Sequence, residues 1–136
     1  DDVRLVSPIT AQFTFQGRAR VRVLFEEAFA VLQGITYTDQ LLQERTAVLC
    51  ATARIGGVRA QEVQLLRLDD AGLIREITLF VRPLPALTGL AAALGPRLAR
   101  REGRPALSLV FGAAAAGLHA MAGTGEQRLL PHVAPR

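Results

Sequence analysis

Residues 72–87, GLIREITLFVRPLPAL, decide the fold. Gly72 closes a turn opened by Asp69-Asp70-Ala71, a residue mix that favours tight turns. Leu73 to Val81 then reads as a long strand. Pro83 and Pro85 end it, because proline has no N–H to give to a ladder. Working back from this strand, Val58–Leu68 (VRAQEVQLLRL) and Thr46–Ile55 (TAVLCATARI) are two further strands, joined by the hairpin signal Gly56-Gly57. Ile35–Gln43 precedes them across the polar turn Gln43-Glu44-Arg45. Successive strands joined by tight turns predict an antiparallel meander.

Upstream, the period changes from 2 to about 3.6. Arg18 to Gln33 carries apolar residues at Val21, Leu24, Phe25, Ala28, Val31 and Leu32, the stripe of an amphipathic helix. Arg18, Arg20, Arg22, Glu26 and Glu27 fall mostly off that stripe, and Gly34 supplies a left-handed stop. Asp1 to Ile9 reads as a strand ending at Ser7-Pro8, and Thr10 to Gly17 as an extended link. The first strand must then join an edge of the meander, with the helix stripe buried against the sheet. Downstream, Ala86–Leu94 and Arg97–Arg101 favour helix on either side of a Gly95-Pro96 break. Pro105 can start another helix over Ala106–Met121, and the Gly- and Pro-containing tail from Gly123 to Arg136 is expected to loop over the surface.

The chain has 136 residues, half of them hydrophobic, with a net charge of +4 and a pI near 10.9. That is enough apolar material for a single core. The arginines are spread along the chain without a basic arm or aromatic interleaving, so no nucleic-acid partner is expected. One cysteine, Cys50, excludes an internal disulfide and a multi-cysteine zinc site; it reads as an inert thiol on a strand. His119 and His132 are the only histidines; a two-histidine metal site would need a carboxylate brought from afar, so no metal site is expected. Gly56-Gly57 and Gly123-Thr124-Gly125 lack the lysine of a phosphate loop. The sequence opens without an apolar leader and holds no run of about twenty uninterrupted apolar residues. It therefore reads as a cytoplasmic protein without stable membrane insertion. The cluster Arg97, Arg100, Arg101 and Arg104 precedes the apolar helix. It can be read as a contact with acidic lipid or a protein partner; helix packing, with the arginines in water, is the plainer reading.

The order strand, helix, four-strand meander resembles the nuclear transport factor 2-like superfamily. The phrases DDVRLVSPI, LFEEAFAVLQGITYTD and LLRLDDAGLIREITLFVRP carry the resemblance, over about residues 1–87. It implies an α+β cone: a strongly curved antiparallel sheet wrapped around a long helix, in the manner of a cystatin-like roll. Residues 1–87 would form the cone and residues 88–136 a helical C-terminal extension. Helices normally precede the first strand in that family; this sequence starts in the strand, which gives the expectation of an incomplete N-terminus. The family spans isomerases, cyclases, dehydratases, epoxide hydrolases and non-catalytic domains, so fold alone does not decide the chemistry.

Working groups in that superfamily lie inside the cone, often late on the last strand. On this basis Glu76, Thr78, Phe80 and Arg82 are expected to point inward, together with Tyr37 and Asp39 from the second strand. Asp39 and Glu76 become the candidate proton carriers, because burial raises a carboxylate's pKa toward neutrality. Tyr37 is the candidate donor to a developing enolate oxygen. Arg82, with Thr78 and Phe80, would bind substrate. The competing reading makes the two carboxylates solvated strand charges paired with arginines. The resemblance to SnoaL-like cyclases permits a single acid/base. An epoxide hydrolase is disfavoured, since no aspartate follows Asp70, and the ketosteroid isomerase trio has no convincing match. The expectation is a domain for a small hydrophobic molecule, working without a cofactor as an isomerase, cyclase or dehydratase near a carbonyl. The alternative is a non-catalytic carrier or dimerisation domain. A homodimer is expected through the outer side of the sheet.

Overall fold

A computed structural model describes residues 2–133 and 135. The elements run β1 (Arg4–Val6), β2 (Phe15–Gln16), α1 (Arg18–Val31), β3 (Leu32–Gln43), β4 (Thr46–Ile55), β5 (Val58–Leu68), β6 (Ile74–Arg82), α2 (Leu84–Arg101) and α3 (Pro105–Thr124). The meander forms as expected, in one six-stranded sheet of order β2-β1-β6-β5-β4-β3. β1 joins its edge, parallel to β6 with Leu5 opposite Ile77, so the sheet is mixed. β2, a two-residue strand inside what reads as a plain link, pairs with β1.

One face of the sheet is covered by helices. Leu5, with no exposed surface, shares a core with Val21 and Leu24 of α1, Ile55, Ala60, Leu66 and Ile77 of the strands, and Ala86, Leu90 and Leu94 of α2. The α1 stripe read from the sequence is therefore the buried one. α2 enters the same core, and a boundary at residue 87 falls within this helix. Two register shifts in β3, at Gln33/Thr36 and Tyr37/Asp39, are irregularities of the kind that bend an edge strand. Gly34 does have a positive φ of 60°. It serves the first of these shifts rather than the helix stop, because α1 already ends at Val31.

Glu27 departs from its expected place off the stripe. Its side chain is only 10% exposed and accepts hydrogen bonds from Arg97 Nε and Arg101 Nε, both at 2.6 Å. The Arg97 hydrogen bond is the main force holding its pKa below the ordinary carboxylate value; the Arg101 bond adds to it and burial opposes it. Two members of the arginine cluster thus clasp α1 to α2.

The Gly95-Pro96 pair does not break α2, which runs through it. Proline inside a helix removes one hydrogen bond, and packing outweighs that loss here. Phe111 of α3 lies directly on Gly95, and Gly112 sits against the Pro96 ring. The Pro96 carbonyl accepts a hydrogen bond from Ser108 Oγ at 3.0 Å. The tail also differs from the expected loop. After α3 it continues as a π-helical turn, Gly125–Leu129, and a 3-10 turn, Leu130–His132; Ala134 and Arg136 lie outside the described residues. The apolar rod Pro105–His132 is, among the described residues, long and apolar enough to cross a membrane by length and composition, and little of it is buried. Its polar residues Ser108 and His119 both turn toward α2. Ser108 bonds Pro96, and His119 Nδ1 lies 3.2 Å from Thr88 Oγ1.

Candidate functional site

Strand register sorts the side chains. Ile77, Leu79 and Val81 stand opposite Leu66, Gln64 and Glu62. Those three stand in turn opposite Ala47, Leu49 and Ala51, and Ala51 opposite Tyr37. Since Ile77, Leu66 and Ala47 belong to the core, this whole set faces the helices. The alternate set on β6, Glu76, Thr78, Phe80 and Arg82, faces away.

The expectation that those four residues point inward is therefore corrected. Glu76 is bound by Arg4 on the outer face, and Phe80 and Arg82 are exposed there. The physical reason is direct: Ile77, Leu79 and Val81 form the more apolar alternate, and burial selects it. Asp39 is likewise exposed. It pairs in register with Cys50 across the second β3 irregularity, on the opposite side from Tyr37. Of the six expected site residues, the structure brings only Tyr37 to the inner face.

A small cavity of about 60 Å³ lies between the inner face and the helices. Its walls are Leu5 and Ile55 from the sheet, Leu24, Phe25 and Ala28 from α1, and Leu90 and Leu94 from α2. Ile9, Phe29 and Tyr37 also line it, and all three are exposed on their outer sides, which places its mouth beside β3. Phe29 stacks on Phe25 with ring centroids 5.8 Å apart. The alanines Ala53 and Ala60 keep the floor open, since larger side chains there would fill the space.

One carboxylate lines this cavity among the described residues, Glu62 of β5. Burial pushes its pKa above the ordinary carboxylate value. A hydrogen bond from Gln64 Nε2 to its Oε1, at 2.9 Å, pulls the other way and is the smaller effect. Tyr37 lies on the same transverse row with Ala51 between them, two strand spacings or about 10 Å from Glu62 along the sheet. The row Val81–Glu62–Ala51–Tyr37 thus carries an acid, a gap and a phenol. The sequence reading missed Glu62. Its alternate on β5 is Val58, Ala60, Glu62, Gln64 and Leu66, whereas Arg59 and Arg67 mark the other alternate as the solvent side; that contrast was the available signal. Among the described residues no cluster of His, Cys, Asp or Glu could hold a metal ion.

No protein-family profile matches the sequence, and no curated protein does. Solved structures do match. A steroid delta-isomerase from Pseudomonas aeruginosa is 29% identical, with 75% of each chain covered and a TM-score of 0.69. An uncharacterised protein with a cystatin-like fold from Silicibacter pomeroyi is 25% identical over 71% of this chain and 68% of that one, also at a TM-score of 0.69. An NTF-2 like protein of unknown function from Burkholderia xenovorans is 15% identical over 60% of this chain and 62% of that one, at 0.53.

Proposed function

We propose that this chain, which has the fold of the nuclear transport factor 2-like and SnoaL-like superfamily, binds a small hydrophobic carbonyl compound against β5 and moves a proton on it through Glu62. The observation carrying this reading is a lone carboxylate in an apolar cavity with its pKa raised by desolvation. Such a group stays closer to neutral pH, where accepting and returning a proton are both easy. Glu62 would take a proton from the carbon next to the carbonyl, leaving an enolate. Returning the proton further along the conjugated system gives an isomer; attack by the enolate carbon on a second carbonyl of the same molecule breaks that C=O π bond, its oxygen takes the proton back from Glu62, and a ring closes. Gln64 fixes the carboxylate through its hydrogen bond. Tyr37 is the donor placed across the gap for the developing oxyanion. No step needs a cofactor. The likeness to a steroid delta-isomerase agrees with the reaction class.

Cavity size restricts the substrate. Pockets for drug-sized ligands span roughly 300–1,000 Å³, far above the 60 Å³ here. A short-chain compound, admitted by movement of the exposed side chains Phe29 and Tyr37 at the mouth, fits better than a steroid. The test is isomerisation of a short β,γ-unsaturated ketone, followed by the ultraviolet absorbance of the conjugated product. Glu62→Gln should lower turnover by roughly 10²–10⁴-fold with an unchanged circular dichroism spectrum. Equal turnover by the variant removes Glu62 from the chemistry. Absence of turnover by the natural chain on such ketones leaves a ligand carrier.

A second reading is favoured by the outer sheet face. Phe80 lies opposite Val63, and Thr78 opposite Leu65. Phe80 and Val63 are exposed, as is Leu41, which stands opposite Val48. This apolar strip between charged residues supports pairing of two copies through the face that carries Thr78, Phe80 and Arg82, with the mass in solution as its measure.

A further inference from the structure

α3 is apolar nearly all round yet buried on one side only. From Pro105 to Gly125 it carries no Asp, Glu, Lys or Arg. Ser108 and His119 are bonded to α2. The remaining surface exposes Leu109 at 76%, Val110 at 68% and Met121 at 73%, with Leu107 and Leu118 also exposed. At about 100° per residue, Leu109 and Leu118 stand on opposite flanks, and Val110, Met121 and Leu107 fill the half-circle between them. A helix apolar all round belongs in a protein core or in lipid. A single partner helix covers a stripe of roughly 100°, so a second copy seated on α3 leaves much of this half-circle in water. A lipid layer covers all of it.

The ends of the rod supply the charge that such a layer attracts. Arg104 caps the N-terminal end and Arg128 lies in the turn beyond the C-terminal end; both are exposed and neither has an ion-pair partner among the described residues. Arg104 also shares a groove with Arg20, Glu102 and the exposed Phe13, beside Leu98; Arg101 lines it too but is held by Glu27, so the charges left there are two cations and one carboxylate. Unlike Arg97 and Arg101, which are held by Glu27, these cations are free for phosphates. Spanning a bilayer would require α3 to leave α2, breaking the Ser108–Pro96 and His119–Thr88 bonds and lifting Phe111 off Gly95. Lying flat keeps all three contacts. It sinks the exposed half of the helix about 5–10 Å into the headgroup boundary.

We propose that α3 docks this domain on the surface of an anionic lipid bilayer, lying in the interface with Val110 and Met121 immersed and Arg104 and Arg128 on lipid phosphates. The experiment is flotation of the full chain with vesicles of neutral phosphatidylcholine, or of phosphatidylcholine with a third phosphatidylglycerol. The natural chain should float with the anionic vesicles and much less with the neutral ones. Arg104→Glu should weaken binding about tenfold. Val110→Glu combined with Met121→Glu should abolish it; both positions are exposed, so the variant is expected to keep its far-ultraviolet spectrum. Failure of the natural chain to float with anionic vesicles overturns the proposal. So do equal binding to neutral vesicles and unchanged binding by the double variant. An α3-dependent dimer in light scattering, dispersed by Val110→Glu in a chain that ignores vesicles, would assign the same face to a second copy instead.

Discussion

The flat placement of α3 depends on its seat against α2, and that seat has a sharp test at Gly95. A Cβ added there would stand 2.9 Å from Phe111 Cζ and closer still to Cε1 and Cδ1. The obstacle is a ring, so the ring or the whole of α3 must shift. Overpacking of this kind costs about 1–3 kcal/mol. Two local terms accompany it: alanine is favoured over glycine in a helix interior by about 1 kcal/mol, while a Cβ before Pro96 is disfavoured in helical backbone. Neither depends on Phe111, so both cancel in a double-mutant cycle. Gly95→Ala measured by urea unfolding should therefore be worse in the natural background than in Phe111→Ala by about 1–3 kcal/mol. The two urea slopes should be similar, showing that the folded state stays equally compact. A coupling indistinguishable from zero would mean that Phe111 does not rest on Gly95. The packing of α3, and with it the argument for lying flat rather than spanning, would then fall.

Glu62→Gln should act on stability with a sign opposite to its effect on turnover. The folded pKa of Glu62 is raised, so its contribution is fully present below the unfolded value near 4.5 and is lost as pH rises through the folded value. The amide does not titrate; thermal melts should show the variant gaining on the natural chain as pH climbs above about 4.5, and a gain on acidification instead would contradict the burial of this carboxylate. Phe80→Glu places a charge at the centre of the outer apolar strip. If that strip pairs two copies, light scattering should show a dimer in the natural chain and dissociation at least about tenfold easier in the variant; a monomer at all concentrations rules the pairing out.

How far the sequence reached depended on whether one residue type outvoted the others at a given place. The α1 stripe from Val21 to Val31 was legible because five apolar residues agree on one helical face. The meander was legible because its turns carry Gly56-Gly57 and Asp69 to Gly72, where positive φ at Gly56, Gly57 and Gly72 suits glycine. The faces of β6 were harder. Its inner alternate, Ile77, Leu79 and Val81, is apolar as burial demands, yet Arg75 precedes it and Phe80 on the other alternate is as greasy as any of them. The expectation that polar groups late on this strand face a pocket overrode the simpler count, and it placed Glu76, Thr78, Phe80 and Arg82 on the wrong side. The carboxylate that does line the cavity lies one strand away, flanked by Ala60 and Gln64; Arg59 and Arg67 on the opposite alternate are the one local hint that it faces inward. The register Val81–Glu62–Ala51–Tyr37 decides it, and register is a property of four strands at once. Glu27 and Pro96 show the same limit in helices. A glutamate becomes buried when two arginines seventy residues downstream arrive to neutralise it, and a Gly-Pro pair stays helical when a second helix fits its surface. Local propensity loses wherever a distant contact offsets its cost, and the inner cavity and the α2–α3 seam are where this chain makes such contacts.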